Sequence, residues 1–196
     1  SLVYKKLISE NIDPIEKKPF FHFFPGSTAF SVATAGCNFR CLNCQNYEIS
    51  QLPKDHDQIV GRDVEPEKIV GDALGSHCKS IAYTYTEPTI FFEYAYEIAK
   101  IASQKAIKNV FVTNGYITRE ALATIKPYLQ AANIDLKSFS SETYKKLCGA
   151  RLEHVLDCIR SYKEMGIWIE ITTLIIPEIN DSEHELRQIA GFIKSV

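Results

Sequence analysis

The feature that most constrains this chain is a repeated alternation of short β-branched runs with longer amphipathic segments. Strands are predicted at residues 29–35, 80–85, 109–113, 131–136 and 168–176. Helices are predicted at 65–78, 88–106, 118–129, 141–147 and 152–165, and a last one from the Asp181-Ser182 cap to the end. The clearest helix carries Phe91, Ala95, Ile98 and Ala102 on one face, at helical spacing. Pro127 interrupts the third helix, and Gly166 stops the fifth. Five βα repeats imply a parallel sheet with right-handed crossovers, an α/β fold. The pattern alone leaves open a closed or partial barrel and an open doubly wound sheet. In either case the chemistry is expected at the C-terminal ends of the strands. No strand follows the last helix, so a further βα unit is expected beyond this stretch.

The first strand runs directly into Ala35–Tyr47, AGCNFRCLNCQNY. Cys37, Cys41 and Cys44 stand there in the spacing C-x3-C-x2-C. Three thiolates on one short loop can ligate three irons of a [4Fe-4S] cluster and leave the fourth iron open to a small molecule. The other strand ends are polar. They carry Tyr85-Thr86-Glu87, Thr113-Asn114, Asp135-Leu136-Lys137, and Thr172 with Thr173. Asp135 and Lys137 are two apart, so both side chains can face one side of their strand. They read either as an ion pair or as holders of the ammonium and carboxylate of an amino-acid ligand. Glu87 at a helix start reads either as a cap or as a ligand contact.

The remaining features favour blander readings. Residues 1–28 form a lead-in, irregular through Pro25 because of Pro14, Pro19 and Pro25. Its PFFHFFP run is expected to be an aromatic clamp over one end of the barrel; the alternative places His22 near the reaction centre. Lys5, Lys6, Lys17 and Lys18 form two pairs expected at a solvated surface. Residues 46–64 read as a long polar connection, with Asp55, His56 and Asp57 in solvent. Cys78, Cys148 and Cys158 read as buried small hydrophobes. Cys148 also has a redox or substrate-facing reading, because it follows the Asp135 motif. The net charge of −2 gives no basic field for nucleic acid or anionic membrane. No apolar run approaches the ~20 residues of a membrane span. Clustered thiols in such a chain point to a reducing cytoplasm.

Together these stretches resemble the radical S-adenosylmethionine (SAM) superfamily, in its pyruvate formate-lyase-activating-enzyme-like branch. Within that branch the chain resembles the radical SAM member of the AmmeMemoRadiSam group. The resemblance is carried by DPIEKKPFFHFFPG, SVATAGCNFRCLNCQNYEIS, YTYTEPT, FVTNGY, NIDLKSFS, LCGARLEHVLD and ITTLIIPEINDSE. It implies a partial (β/α)6 TIM-like barrel over residues 29–196, without its last βα unit. It implies that Cys37, Cys41 and Cys44 hold a [4Fe-4S] cluster whose fourth iron chelates SAM. Tyr85, Thr86 and Glu87 would replace the family's Gly-Gly-Glu segment, with Glu87 on the SAM amino group. Asp135 and Lys137 would surround the methionyl carboxylate, and Thr113, Asn114 and Thr172 would add contacts. The implied chemistry is reductive cleavage of SAM to a 5′-deoxyadenosyl radical that abstracts hydrogen. The implied partners are a low-potential donor such as flavodoxin or ferredoxin, and a protein substrate, Memo-like and Amme-type proteins included.

Asn43 stands where the family usually has an aromatic residue, so adenine contacts are expected to be hydrogen bonds. Val112 replaces an acidic residue that helps hold a monovalent cation in formate-lyase activases, so that site is not expected. A second class of function is a zinc or iron-sulfur binding module without catalysis, with His22 or His56 as a fourth ligand. A flavin or nucleotide enzyme would need a Gly-x-Gly-x-x-Gly loop, which is absent.

Overall fold

The computed structural model describes all 196 residues. Its sheet has seven strands: β1 (Lys6–Pro14), β2 (Thr28–Thr34), β3 (Arg62–Asp63), β4 (Ser80–Tyr83), β5 (Lys108–Thr113), β6 (Ala131–Asp135) and β7 (Trp168–Thr172). The order across the sheet is β3-β1-β2-β4-β5-β6-β7. From β2 to β7 every neighbouring pair is parallel and follows chain order. A doubly wound sheet reverses its strand order at a switch point. This sheet does not, and right-handed crossovers without reversal put the helices on one face. The open alternative therefore resolves to the partial barrel.

The helices are α1 (Tyr47–His56), α2 (Pro66–Gly75), α3 (Phe92–Gln104), α4 (Arg119–Ile125), α5 (Ser141–Cys148), α6 (Leu152–Glu164) and α7 (Glu183–Ser195). A 3-10 turn at Pro88–Phe91 precedes α3. Local chemistry sets the helix starts. Hydroxyls of Thr118, Ser140 and Ser182 accept backbone N–H groups of the first turns of α4, α5 and α7. The outer sheet face supplies Phe30, Val32, Ile81, Tyr83, Phe111 and Ile134 to the main core, where helix residues such as Ile98 and Val155 meet them. None of these helices is long and apolar enough to cross a membrane.

The inner face is built differently. Ser31, Ala82, Val110 and Ala131 lie in one register row across β2, β4, β5 and β6. Small side chains leave room there, and the lead-in fills it. Ile15 and Phe20, both fully buried, pack on Ala29, Ala82, Val110 and Ala131, with Phe23 beside them. Burying the Phe20 ring contributes roughly 1.5–3 kcal/mol. The aromatic clamp is thus present, but the lead-in is not irregular. Residues Lys6–Pro14 form β1, antiparallel to β2 with Asp13 opposite Ala29. The segment after it is tied across the inner face to β6 and β7. Asn133 Nδ2 donates to the Pro19 carbonyl at 3.0 Å, and Glu170 accepts the Phe21 and His22 amides at 2.8 and 3.1 Å.

Of the four paired lysines, Lys17 is exposed as expected and Lys5 and Lys6 are partly exposed, but Lys18 departs from expectation. Lys18 is 2 % exposed. Its Nζ lies 2.8 Å from Asp13 Oδ2 and 4.1 Å from the centre of the Tyr85 ring. The same carboxylate accepts Lys17 at 2.9 Å, Ser31 Oγ at 2.9 Å and the Tyr85 hydroxyl at 2.5 Å. Burial raises the Asp13 pKa, but the bonds from Lys18, Tyr85, Lys17 and Ser31 outweigh it and hold the carboxyl well below its usual range. The stretch 46–64 is not a bare connection either. It contains α1 and the two-residue β3, which pairs with β1.

Candidate active site

The cysteine loop leaves β2 through Gly36, whose φ of +108° favours glycine. A Cβ there would also come within 3.2 Å of Ile90. Helix α1 clasps the loop from behind: the Gly36 amide donates to Ile49 O at 3.0 Å, and Gln51 Nε2 and Lys54 Nζ each donate to Phe39 O at 3.0 Å. On the other side, the Arg40 and Leu42 amides donate to the last carbonyls of α5, Cys148 at 3.1 Å and Leu147 at 2.9 Å. The loop is therefore held by its backbone, leaving its thiols to their own contacts.

Each thiol has a different surrounding. Cys37 Sγ accepts the Phe39 amide at 3.4 Å and Asn114 Nδ2 at 3.7 Å. Cys41 is buried against Cys148, and Cys44 Sγ lies 3.4 Å from Ser50 Oγ. Burial, with the Glu87 carboxylate nearby, pushes the Cys37 thiol up to about 12. Contact with Cys148, followed by burial, pushes Cys41 up. A cationic centre reverses that preference, because a coordinating thiol is deprotonated outright. A small apolar cavity of about 270 Å³ adjoins Cys37, between Pro53 and Ile90.

The strand ends close on this loop from two sides. Beside Cys37, Glu87 is 1 % exposed. It accepts Thr89 N at 3.1 Å, Thr89 Oγ1 at 2.8 Å, Thr113 Oγ1 at 2.8 Å and the Asn114 amide at 2.8 Å. Glu87 thus caps the 3-10 turn and ties it to the Thr113-Asn114 strand end. Burial raises its pKa despite these four bonds. The Thr113-Asn114 turn depends on Gly115 at φ +69°, where a Cβ would sit 2.8 Å from Ile134.

Beside Cys41, Lys137 Nζ lies 2.7 Å from Asp135 Oδ2, so these two side chains pair with each other. Burial lowers the Lys137 pKa, but the Asp135 carboxylate outweighs it and the net shift is upward. The Tyr144 hydroxyl accepts the Lys137 amide and donates to Asp135 O, both at 3.3 Å.

Other expected residues take other places. Tyr85 and Thr86 reach the loop by backbone and hydroxyl: Asn46 Nδ2 donates to Tyr85 O and Thr86 Oγ1 to Thr34 O, both at 2.8 Å. The Tyr85 side chain turns inward to Asp13 instead, from a backbone at φ +64°. That left-handed conformation costs a non-glycine residue roughly 1–2 kcal/mol. Thr172 pairs with Asp135 across β6 and β7 and lines a cavity of about 440 Å³ shared with His22 and Glu170. His22 is an exposed neighbour of Glu170, its Nδ1 3.6 Å away. His56 is exposed at the end of α1. Asn38 was not anticipated: it donates to Tyr116 O at 3.1 Å and accepts Asn114 Nδ2 at 2.7 Å. Its place inside the cysteine motif was the available signal. Cys78 and Cys158 are buried as expected, and Cys148 is buried against Cys41.

The donor set fits an iron-sulfur cluster. Three thiols stand on one loop, and an N–H donor from the loop and another from a strand end face one sulfur. Spaced C-x3-C-x2-C, the three thiols would each take one iron of a four-iron cube.

The family model of the radical SAM superfamily matches residues 31–190. The chain belongs to the radical SAM superfamily. Membership implies a [4Fe-4S] cluster and SAM as cofactors, and radical SAM enzymes need an external reductant. An uncharacterized protein of Methanocaldococcus jannaschii, MJ0808, is 47 % identical over 191 residues, 97 % of this chain and 56 % of that protein. A putative glycyl-radical enzyme activating enzyme of the same organism, MJ1632, is 27 % identical over 86 % of this chain and 64 % of its own length. This radical SAM chain therefore spans less than two thirds of either relative. Among solved structures, a radical SAM methyltransferase from Sphaerobacter thermophilus superposes with a TM-score of 0.66 at 15 % identity, over 89 % of this chain and 55 % of that one. That likeness establishes the partial-barrel fold.

Proposed function

We propose that Cys37, Cys41 and Cys44 hold the cluster at which SAM is reductively cleaved. The observation that carries this is the closure of Glu87, Thr113 and Asn114 on Cys37, with Asp135 and Lys137 on the Cys41 side. When bound and reduced, the cluster supplies the electron that breaks the sulfonium S–C5′ bond and yields a 5′-deoxyadenosyl radical.

The chain's own residues supply positions and charges. Glu87 holds a carboxylate beside Cys37, suited to the ammonium group of SAM. Lys137 is suited to its carboxylate, and Asp135 to a second ammonium contact. Binding then exchanges their mutual ion pair for bonds to the ligand. Thr113 and Thr172 flank these charges, while Tyr85 and Thr86 fix the strand end that carries Glu87.

Electrons come from a low-potential donor such as flavodoxin or ferredoxin. Likeness to an activating enzyme supports hydrogen abstraction from a backbone glycine of a partner. Resemblance to the AmmeMemoRadiSam group supports another substrate, with Memo-like or Amme-type proteins as partners. Electron paramagnetic resonance on candidate partners after turnover separates the two. A glycyl doublet supports the activase. Continued SAM cleavage without a doublet supports the second substrate class.

A further inference from the structure

The side chain of Asn114 is held by more contacts than a turn requires. It is 5 % exposed. Its Oδ1 accepts the Tyr116 amide at 3.1 Å, which closes the turn. Its backbone amide donates to Glu87 Oε2 at 2.8 Å. Its Nδ2 donates to Asn38 Oδ1 at 2.7 Å and faces Cys37 Sγ at 3.7 Å. The two hydrogens of one amide nitrogen serve both partners.

The surrounding bonds fix which end of the amide meets the sulfur. The Tyr116 amide is a donor, so the atom it meets must be Oδ1. Asn38 spends its own Nδ2 on Tyr116 O at 3.1 Å, which turns its oxygen toward Asn114. Both neighbours therefore demand that Nδ2 point at Cys37. A flipped amide would set donor against donor at Tyr116 and acceptor against acceptor at Asn38.

The three thiols are unequal in this respect. Cys37 faces two N–H donors, Phe39 and Asn114. Cys44 faces only the Ser50 hydroxyl, and Cys41 faces another thiol. Donors directed at a ligating sulfur stabilise the more negative, reduced form of a cluster. We infer that Asn114 is a positioning residue that raises the reduction potential of the cluster through Cys37. This rests on the cluster assignment proposed above and adds to it a role independent of SAM contact.

Two variants and one spectrum test it. Asn114→Ser keeps an oxygen for the Tyr116 amide and removes the amide donor. Asn114→Asp keeps the same acceptor and adds negative charge. Each is reconstituted anaerobically, counted for iron, and titrated with dithionite and redox dyes while the reduced cluster is followed by electron paramagnetic resonance, without SAM. At the poise that half-reduces the wild-type cluster, the expected result is several-fold less reduced cluster in Asn114→Ser, and less again in Asn114→Asp. Equal half-reduction poise in loaded wild type and variants overturns the inference. Should neither variant load, wild-type protein carrying side-chain ¹⁵N-labelled asparagine decides. Pulsed resonance on its reduced cluster should detect ¹⁵N coupling, and no coupling overturns the inference. Wild type that takes up no four-iron cluster overturns the functional reading itself, a different failure from equal potentials.

Discussion

Removing the Asp13 carboxylate probes the inner-face arrangement most sharply. Asp13→Ala leaves the Lys18 ammonium, 2 % exposed, without its partner at 2.8 Å. A stranded buried charge costs about 3–5 kcal/mol. For a chain of this size that lowers Tm by about 6–20 °C. Lys18→Met should cost less, about 1–3 kcal/mol, because Asp13 keeps Lys17, Ser31 and Tyr85. In Asp13→Ala/Lys18→Met no charge is stranded, and the loss should fall at least about 2 kcal/mol short of the sum of the singles. Urea unfolding followed by circular dichroism measures all three. Single losses that add to within about 0.5 kcal/mol would mean that the pair is not coupled. A loss under about 1 kcal/mol in Asp13→Ala would mean that Lys18 reaches water, and the account of a buried plug would be wrong. The pH dependence adds a sign. The folded Asp13 carboxyl lies below its ordinary value of 3.8. Its stabilisation is present above that value and is lost as pH falls toward the folded pKa.

Two more outcomes follow from the site. Gly115→Ala forces a left-handed backbone on alanine and drives its Cβ to 2.8 Å from Ile134; a loss of about 2–4 kcal/mol is expected in chemical denaturation, and a loss under about 0.5 kcal/mol would contradict the close approach. Glu87 has a folded pKa raised above 4.5, so its contribution is greatest at low pH and declines as pH rises from that value through the folded one. The stability advantage of wild type over Glu87→Gln should therefore shrink across that window, and a pH-independent difference would contradict the raised pKa.

The strands and helices that the sequence made legible are those whose faces differ strongly in polarity. The α3 face of Ala95, Ile98 and Ala102 is fully buried, as its spacing predicts. β1 escaped detection because most of its residues are partly or fully exposed, so they carry little apolar alternation. α1 escaped because it is polar, contains Pro53, and docks mainly through hydrogen bonds to the cysteine loop. The cysteines were legible because cluster chemistry needs them close in sequence. The Asp13–Lys18–Tyr85 contact was not, because topology alone joins residue 13 to residue 85. Lys18 looked like surface for the same reason: its carboxylate is only five residues away, but the Tyr85 ring that covers it comes from a distant strand end. Asn114 and Cys37 likewise meet across 77 positions.

Cleavage of SAM at the three-cysteine loop is read most directly from its products. Anaerobically reconstituted protein, given dithionite and SAM, should form 5′-deoxyadenosine and methionine, while Cys44→Ala, handled identically, should form neither. Cluster-loaded wild type that binds SAM yet yields no 5′-deoxyadenosine would contradict the account.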